Sequence, residues 1–176
     1  MKFTKIEIEG PRIIELRKLE DDRGFFARQF CVDEFEDEGL NPSISQINTS
    51  NCIKKGTLRG LHYQIEPFGE AKFLRCISGK IIDFIVDVRP GSRTYLKTFS
   101  IELTFENRLG IYIPVGFAHG YMSLTDNVEV IYLSSQKYIP GVERGICWND
   151  PSIHLDLPFE PSIVSCKDLS HPTYNP

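Results

Sequence analysis

Short segments of alternating apolar and polar residues, separated by glycine, proline, asparagine or aspartate, make up most of the chain from residue 2 to residue 135. Side chains alternate between the two faces of a β-strand, so each segment predicts a strand with one face toward a core. Roughly ten short strands at this spacing are typical of an antiparallel sandwich or barrel. The predicted strands are Lys2 to Ile8, Arg12 to Leu16, Phe25 to Phe30, Ser43 to Asn51, Thr57 to Gln64, Ala71 to Ile77, Lys80 to Arg89, Lys97 to Leu103, Leu109 to Ile113, Ala118 to Leu124 and Val128 to Ser135.

The strand from Lys80 to Arg89 has the most regular pattern. Its apolar residues Ile82, Phe84, Val86 and Val88 share one face, and its two aspartates, Asp83 and Asp87, share the other. We therefore expect one buried and one polar face. Helix is scarce: Asp33 to Gly39 predicts one short acidic helix, and the proline-rich segment after residue 135 reads as an ordered wrapping tail with one helical turn.

A cluster of basic residues lies between Gly56 and Lys72. Arg59, His62 and Lys72 fall on two predicted strands, which we expect to be neighbours, and such a cluster requires an anionic partner. Arg59 and His62 are three positions apart and should face opposite ways on a regular strand. A glycine within a strand often marks a bulge, so we predict one near Gly60 that turns both side chains to the same side. Taken alone, His62 reads better as a half-buried strand histidine bonded to the backbone, and only the residues later in the chain favour a functional role.

Length and charge exclude several classes of protein. A chain of 176 residues fits one domain with its own core, residues 1–176. The net charge of -4 argues against nucleic-acid binding and against an anionic membrane surface. We find no apolar run of membrane-spanning length and no signal-peptide core after Met1, and we expect a cytoplasmic protein. The five scattered cysteines, without a C-x-x-C pair, predict reduced packing residues.

Further polar signals occur later in the chain, and each has a structural alternative. His119 lies between small residues in a turn where a ligand could approach the backbone, or it serves only the turn. Tyr132 is either a functional phenol or a core tyrosine. Ser165-x-x-Asp168 matches a capping box at the start of a helical turn. The segment His62-Tyr63-Gln64 lacks the second histidine of the usual cupin metal motif, so we expect no metal.

Taken together, the motifs resemble those of the dTDP-4-dehydrorhamnose 3,5-epimerase family. The resemblance runs from about Asp21 to Asp168 and implies an all-β, cupin-type jelly-roll barrel, a homodimer, no metal or cofactor, and catalysis on a nucleotide-linked 4-keto sugar in dTDP-rhamnose and cell-surface polysaccharide biosynthesis. The matching segments are Asp22-Arg23-Gly24-Phe25-Phe26, Gln46-x-Asn48, Leu58-Arg59-Gly60-Leu61-His62-Tyr63-Gln64, Lys72, Asp83-x-x-x-Asp87-x-Arg89, Ile113-Pro114-x-Gly116-Phe117-Ala118-His119-Gly120, Tyr132, Tyr138, Trp148-Asn149-Asp150 and Ser165-x-Lys167-Asp168.

The resemblance also implies a role for each matching residue. His62 corresponds to the base that removes a proton beside the sugar carbonyl, Asp168 to the carboxylate that orients it, and Tyr132 to the acid on the opposite face. Lys72 would lie near the developing oxyanion, where a cation stabilises an enolate. Positions implied to contact the nucleotide sugar are Arg23, Arg28, Gln46, Asn48, Arg59, His119, Tyr138, Glu143 and Lys167. In the family's dimer the N-terminal segments are exchanged, which implies that Arg23 and Arg28 serve the neighbouring subunit.

The chain departs from the family pattern chiefly at acidic positions. Arg28 replaces a common glutamate, Ile47 an aspartate and Val115 a glutamate, and Leu157 replaces a tryptophan. These changes leave open the nucleotide, the sugar and whether C3, C5 or both are inverted. The hypotheses are an epimerase acting on dTDP-4-dehydro-6-deoxyglucose, a mono-epimerase or ketoisomerase of another NDP-4-keto sugar, a non-catalytic sugar-nucleotide-binding cupin, and a purely structural jelly roll.

Overall fold

The fold is built almost entirely from short strands. The computed structural model describes residues 1–174, and this range contains fourteen strands and two short helices. The elements before residue 65 are β1 (Lys2–Lys5), β2 (Arg12–Glu15), β3 (Lys18–Asp21), β4 (Gly24–Ala27), α1 (Val32–Asp37), β5 (Gln46–Cys52) and β6 (Thr57–Gln64). The remaining elements are β7 (Lys72–Ser78), β8 (Lys80–Asp87), β9 (Thr98–Thr104), β10 (Gly110–Ile113), β11 (Phe117–Ser123), β12 (Val128–Ser134), β13 (Glu143–Gly145), β14 (Ile163–Val164) and α2 (Cys166–Leu169).

Two six-stranded sheets form the sandwich. The first sheet has the order β1-β2-β10-β7-β12-β5, and the second has the order β13-β6-β11-β8-β9 with β14 beside β6. Strands adjacent in each sheet run antiparallel, except that β14 pairs with β6 in parallel. The all-β, jelly-roll prediction is therefore confirmed. Neither helix in residues 1–174 is long and apolar enough to cross a membrane.

The interior between the two sheets is the largest core. Alternate residues of both sheets meet there, as the pleat of each strand requires. The first sheet contributes Cys52, Leu74, Cys76, Ile111, Ile113, Val128 and Val130, and the second contributes Ile81, Ile85, Leu103, Phe117 and Tyr121. Since Cys52 and Cys76 are buried here as free thiols, their predicted role as packing residues is confirmed. For Cys166 the prediction was wrong, because its side chain is exposed.

The outer face of each sheet is also covered. On the second sheet, Phe84, Val86 and Met122 pack against Ile146 and Ile153 of the C-terminal segment, so the predicted wrapping tail is confirmed. The outer face of the first sheet is covered by α1. Its Phe35 ring packs on Phe3, Phe30, Phe73 and Tyr112, with centroid distances of 4.8 to 5.9 Å.

The prediction for β8 was wrong about its polar face. Asp83 and Asp87 are 1% and 0% exposed, because their face is turned to the interior between the sheets and not to solvent. The apolar face lies outside the sandwich and is buried by the C-terminal tail. Asp87 is satisfied there by the Arg89 guanidinium, the Arg89 backbone N–H and the hydroxyls of Ser92 and Thr94. Burial alone would raise the pKa of Asp87, but these donors outweigh it and hold the pKa well below its usual value.

One strand of the N-terminal hairpin, β3, was not indicated by the sequence pattern, whereas β4 overlaps the predicted strand Phe25 to Phe30. The strand β3 was missed because its residues, Lys18 to Asp21, are all exposed and carry no core-facing alternation. It pairs only with β4, and this two-stranded sheet joins neither of the large ones. Arg23 lies in the turn of the hairpin, with Gly24 beside it at φ +120°.

The predicted bulge at Gly60 is confirmed. Opposite β11, His62 pairs with His119 and Arg59 pairs with Tyr121, so three steps on β6 match two on β11. Arg59 and His62 consequently face the same side, while Leu58 and Leu61 both reach the outer core. Gly60 has φ +114°, and a Cβ there would lie 2.6 Å from the Gly120 Cα atom. Only glycine allows the two strands to approach this closely.

Candidate active site

A cavity of about 440 Å³ opens between the two sheets and gathers most of the predicted functional residues. Its volume is in the usual range for small-molecule sites. The predicted residues that line it are Arg59, His62, Lys72, His119, Tyr132, Lys167 and Asp168. The prediction that β6 and β7 are neighbours was wrong, because the two strands belong to different sheets. Arg59 and His62 therefore meet Lys72 across the interior.

His62 and Asp168 form the closest polar pair in the cavity. The His62 Nε2 atom lies 2.7 Å from Asp168 Oδ1, and the Gly60 backbone N–H donates to Asp168 Oδ2 at 3.3 Å. Burial tends to raise the pKa of Asp168. The contact with His62 and the hydrogen bonds from Gly60 and Ser165 lower the pKa by more than burial raises it, so the net pKa lies below its usual value. Asp168 is therefore a carboxylate at neutral pH, able to fix the His62 ring and to support its protonated form.

Asp168 is positioned by the short helix α2. The Ser165 hydroxyl accepts a hydrogen bond from the Asp168 backbone N–H at 3.1 Å, which is the capping interaction that the Ser165-x-x-Asp168 pattern predicts. The Asp168 carboxylate does not complete the capping box. It points instead to β6, so the motif provides both a helix cap and a partner for His62.

Lys72 is held by a carboxylate that the sequence analysis did not assign to the site. The Lys72 Nζ atom lies 2.7 Å from Glu70 Oε1, and both side chains are mostly buried. The second Glu70 oxygen accepts from the Ser134 hydroxyl at 2.7 Å. Glu70 thus fixes the ammonium group at the wall of the cavity.

His119 belongs to a second histidine–aspartate pair. Its Nε2 atom lies 2.8 Å from Asp83 Oδ2, and both residues are buried. Burial raises the pKa of Asp83, although the contact with His119 and the charge of Lys72 work in the opposite direction. Asp83 Oδ1 has no hydrogen-bond partner among the described residues, so Asp83 is bonded through a single oxygen to His119.

Tyr132 enters the cavity from the first sheet, on β12, whereas His62 enters from the second. Burial raises the pKa of Tyr132, and the charges of Glu70 and Glu143 raise it further. The side chain therefore remains a protonated phenol at neutral pH, which is the form that can donate a proton.

Two basic side chains complete the lining. Arg59 donates from Nη2 to the Asn51 carbonyl at 3.0 Å and extends from β6 into the cavity. Lys167, next to Asp168, pairs with Glu143 of β13. Among the residues that the structure describes, Glu143 thus reaches the site through Lys167 and is not part of the cavity wall itself.

The predicted residues on and near β5 lie beside the cavity and not in its lining. Asn48 pairs directly with Tyr132, and Gln46 Oε1 accepts from the Tyr138 backbone N–H at 2.5 Å. The Tyr138 side chain is exposed. Ile47, at a position where the family commonly has aspartate, alternates with Gln46 and Asn48 and is 60% exposed.

Arg23 and Arg28 are not brought to the cavity of their own chain. Arg23 pairs with Asp21 in the hairpin turn, and its side chain is 90% exposed. Arg28 pairs with Glu34 of α1 and lines a separate cavity of about 420 Å³ together with Leu19 and Phe26. Within one chain, these two arginines belong to the N-terminal arm.

The partners of the predicted residues were the part of the site that the sequence analysis missed. Glu70 precedes Lys72 by two positions, and this spacing on one strand face could have indicated the pair. Asp83 was assigned to a polar strand face because nothing local shows that this face is interior. His171, three residues after Asp168, also contacts the His62–Asp168 pair, and the i, i+3 spacing on a helical turn was the available signal.

Comparisons with known proteins agree with this fold. A sequence model described as dTDP-4-dehydrorhamnose 3,5-epimerase matches residues 5–175. The enzyme of that name from Shigella flexneri is 39% identical over 171 residues, which cover 97% of this chain and 94% of the relative. The crystal structure of dTDP-4-dehydrorhamnose 3,5-epimerase from Elizabethkingia anophelis superposes with a TM-score of 0.95 at 34% identity, covering 99% of this chain and 96% of that one.

A further solved structure contains a sugar nucleotide. It is dTDP-6-deoxy-D-glucose-3,5-epimerase from Legionella pneumophila in complex with dTDP-4-keto-L-rhamnose, with a TM-score of 0.90 and 33% identity over 97% of this chain and 90% of that one.

The jelly roll that this chain shares with these structures places it in the class of cupin-type epimerases. Within that class, the chain belongs to the dTDP-4-dehydrorhamnose 3,5-epimerase family. Its members are isomerases, and this chain is one of them.

Proposed function

We propose that the chain inverts C3 and C5 of a nucleotide-linked 4-keto-6-deoxy hexose, converting dTDP-4-dehydro-6-deoxyglucose into dTDP-4-dehydrorhamnose. One observation carries the proposal: a histidine paired with a carboxylate and a protonated tyrosine line one cavity from opposite sheets. Inversion at a carbon requires a base on one face and an acid on the other. Binding alone requires neither, so a non-catalytic cupin would leave this arrangement without a purpose.

His62 is the base in this proposal. Its Nε2 atom is engaged by Asp168, which leaves Nδ1 as the nitrogen that can accept a proton. C3 and C5 are acidic because the C4 carbonyl takes up the charge as an enolate. Nδ1 accepts the proton from the sugar carbon, and the Asp168 carboxylate at Nε2 stabilises the imidazolium that forms.

Lys72 and Tyr132 act on the enolate. Lys72, fixed by Glu70, supplies a positive charge for the C4 oxyanion, and such a preorganised charge is effective in a cavity shielded from water. Tyr132 then donates its proton to the carbon from the face opposite His62. The result is net inversion at one carbon. His62 then releases its proton to solvent and Tyr132 takes one up, after which the same steps at the second carbon complete the double epimerisation.

The nucleotide end is assigned to the basic side chains. Arg59 and Lys167 lie on the cavity wall and are suited to the diphosphate, because a guanidinium pairs two phosphate oxygens at once. His119, oriented by Asp83, adds a polar contact toward the sugar. The nucleotide sugar would be contacted in addition by Gln46, Asn48 and Tyr138, on β5 and the loop beside it.

Deuterium incorporation tests the proposal. The purified chain is incubated with dTDP-4-dehydro-6-deoxyglucose in deuterated water, and C3 and C5 are followed by NMR. We expect deuterium at both carbons together with the dTDP-4-dehydrorhamnose signals. Deuterium at one carbon would establish a mono-epimerase, a carbonyl shift without change at C5 would establish a ketoisomerase, and tight binding without exchange would contradict catalysis.

We further propose that the chain is one domain and that it acts as a homodimer in which the N-terminal arm completes the partner's site. The hairpin β3–β4 joins neither large sheet and exposes Leu19, Phe25 and Phe26 by 41 to 70%. Exposed apolar clusters of this kind commonly mark an interface. The arm also carries Arg23 and Arg28, which do not reach the cavity of their own chain.

Mixing two inactive variants tests this exchange. One variant is His62→Asn and the other carries Arg23→Ala with Arg28→Ala. If arms are exchanged, each mixed dimer contains one site with an intact His62 and an intact arm from the partner. Random mixing makes half the dimers mixed, and one site in two is restored in these, so we expect recovery of about a quarter of the wild-type activity. A sedimentation mass near 20.2 kDa, or no recovery on mixing, would contradict the proposal.

A further inference from the structure

His171 lies against the His62–Asp168 pair without a role in the reaction proposed above. It comes just after α2, and its Nε2 atom is 3.6 Å from Asp168 Oδ1. The rings of His62 and His171 meet edge to face, with centroids 5.4 Å apart and planes at 80°. One carboxylate oxygen is therefore approached by a ring nitrogen from each of two histidines.

The place of His171 is closely shaped by its neighbours. A Cβ atom at Gly145 would lie 2.1 Å from His171 Nε2, so a side chain at that position would displace the imidazole. His171 Nε2 is buried and has no hydrogen-bond partner in residues 1–174. Buried ring nitrogens are usually paired, and one directed at a carboxylate beside a second histidine has the position of a metal ligand.

The donor atoms match a known type of site. His62, Asp168 and His171 each offer one ligand atom, and these atoms all lie within 4.8 Å of one another. Two imidazoles and one carboxylate, with a fourth position open to a cavity, form the ligand set of many zinc sites. We propose that this cluster binds Zn²⁺ or a similar divalent transition-metal ion, and that the bound ion inhibits the epimerase reaction on which this inference rests.

The distances indicate an inhibitor site and not a permanent one. Tetrahedral Zn²⁺ with bonds of about 2.0 to 2.1 Å requires its ligand atoms to be about 3.3 Å apart. The 3.6 Å separation of His171 and Asp168 is close to this value, whereas the 2.7 Å contact of His62 with Asp168 must open. The ion therefore competes with the hydrogen bond between His62 and Asp168, and its occupancy follows the free metal concentration.

The chemistry of the imidazole ring explains the inhibition. Neutral His62 carries its proton on Nε2, where it is donated to Asp168, and keeps the lone pair of Nδ1 for the substrate. When the metal takes the Nε2 lone pair, that proton leaves to solvent and the neutral ring takes one proton at Nδ1. The ring then has no free lone pair to accept the proton from the sugar carbon. Arg59 and Lys167 are not ligands, so the inhibited protein still binds the sugar nucleotide and loses kcat more than it raises KM.

Metal titration with a matched set of variants tests the inference. The full chain, treated with a chelator and then freed of it, is titrated with ZnCl₂ by calorimetry and with CoCl₂ by visible absorption. The same samples are assayed for deuterium exchange with and without ZnCl₂. The variants are His171→Ala, His171→Gln, and His154→Ala as a control that removes an exposed histidine elsewhere. Cys166→Ser removes the exposed thiol near the cluster.

We expect one Zn²⁺ per chain, a tetrahedral Co²⁺ spectrum and inhibition in the wild type, in His154→Ala and in Cys166→Ser. Both His171 variants should keep their activity without metal and bind Zn²⁺ at least about tenfold more weakly. Equal zinc sensitivity in the wild type and in both His171 variants would overturn the proposal, as would its loss in Cys166→Ser alone. If the wild type shows no exchange, calorimetry and the Co²⁺ spectrum still test the metal site, so the two proposals fail separately.

Discussion

Replacing His62 with asparagine is expected to reduce deuterium exchange at both C3 and C5 to a small residual rate. Asparagine can still donate a hydrogen bond toward Asp168, but it has no basic nitrogen to accept a proton from carbon. A general base typically accounts for about 10²- to 10⁴-fold of the rate, and the rate of epimerisation should fall by this factor. The measurement is deuterium incorporation by NMR, at enzyme concentrations high enough to detect the residual rate.

A control separates loss of the base from loss of binding. The His62→Asn variant should bind dTDP with nearly wild-type affinity in calorimetry, because Arg59 and Lys167 are unchanged. His154→Asn, at an exposed histidine away from this cavity, should leave exchange unaffected. Exchange at a wild-type rate in His62→Asn would show that another group removes the proton.

Replacing Tyr132 with phenylalanine is expected to separate exchange from inversion. The raised pKa keeps the phenol protonated, and the substitution removes only the hydroxyl that donates this proton. His62 can still remove a proton and return deuterium to the same face. The product rate should fall by about 10²- to 10⁴-fold, while deuterium still enters the unconverted substrate.

Both quantities can be read from one sample, as dTDP-4-dehydrorhamnose formed and as deuterium in the remaining substrate. Tyr121→Phe is the matched control, since Tyr121 also lines the cavity but donates its hydroxyl hydrogen to Ser50 at 2.8 Å. That variant should retain both activities. If exchange and inversion fell equally in Tyr132→Phe, the tyrosine would not be the acid proposed here.

The strands were largely predictable because each has a local pattern. Alternation located β8 and β12, and Gly60 indicated the bulge that turns Arg59 and His62 to one side. The assignment of strands to sheets was not local. It was therefore wrong for β6 and β7, which face each other across the interior and do not pair.

For the candidate site, the main residues were predictable but their carboxylate partners were not. Its main residues followed from a family resemblance, but the carboxylates that fix Lys72 and His119 were not recognised. Asp83 appeared to be a solvent-facing residue because the tail that buries the opposite side of β8 comes more than fifty residues later. Partners of this kind depend on contacts between distant segments, which no window of sequence contains.

In the mechanism proposed above, His62 on one sheet and Tyr132 on the other make the stereochemistry depend on how the core holds the two sheets apart. Facing sheets lie about 10 Å apart, at a spacing set by the volume of the side chains between them. Here these include Ile81, Ile85 and Ile111. A methyl group gained or lost at such a position alters the distance across which a planar enolate is reprotonated. In that mechanism, residues that do not line the cavity affect how readily proton exchange leads to inversion.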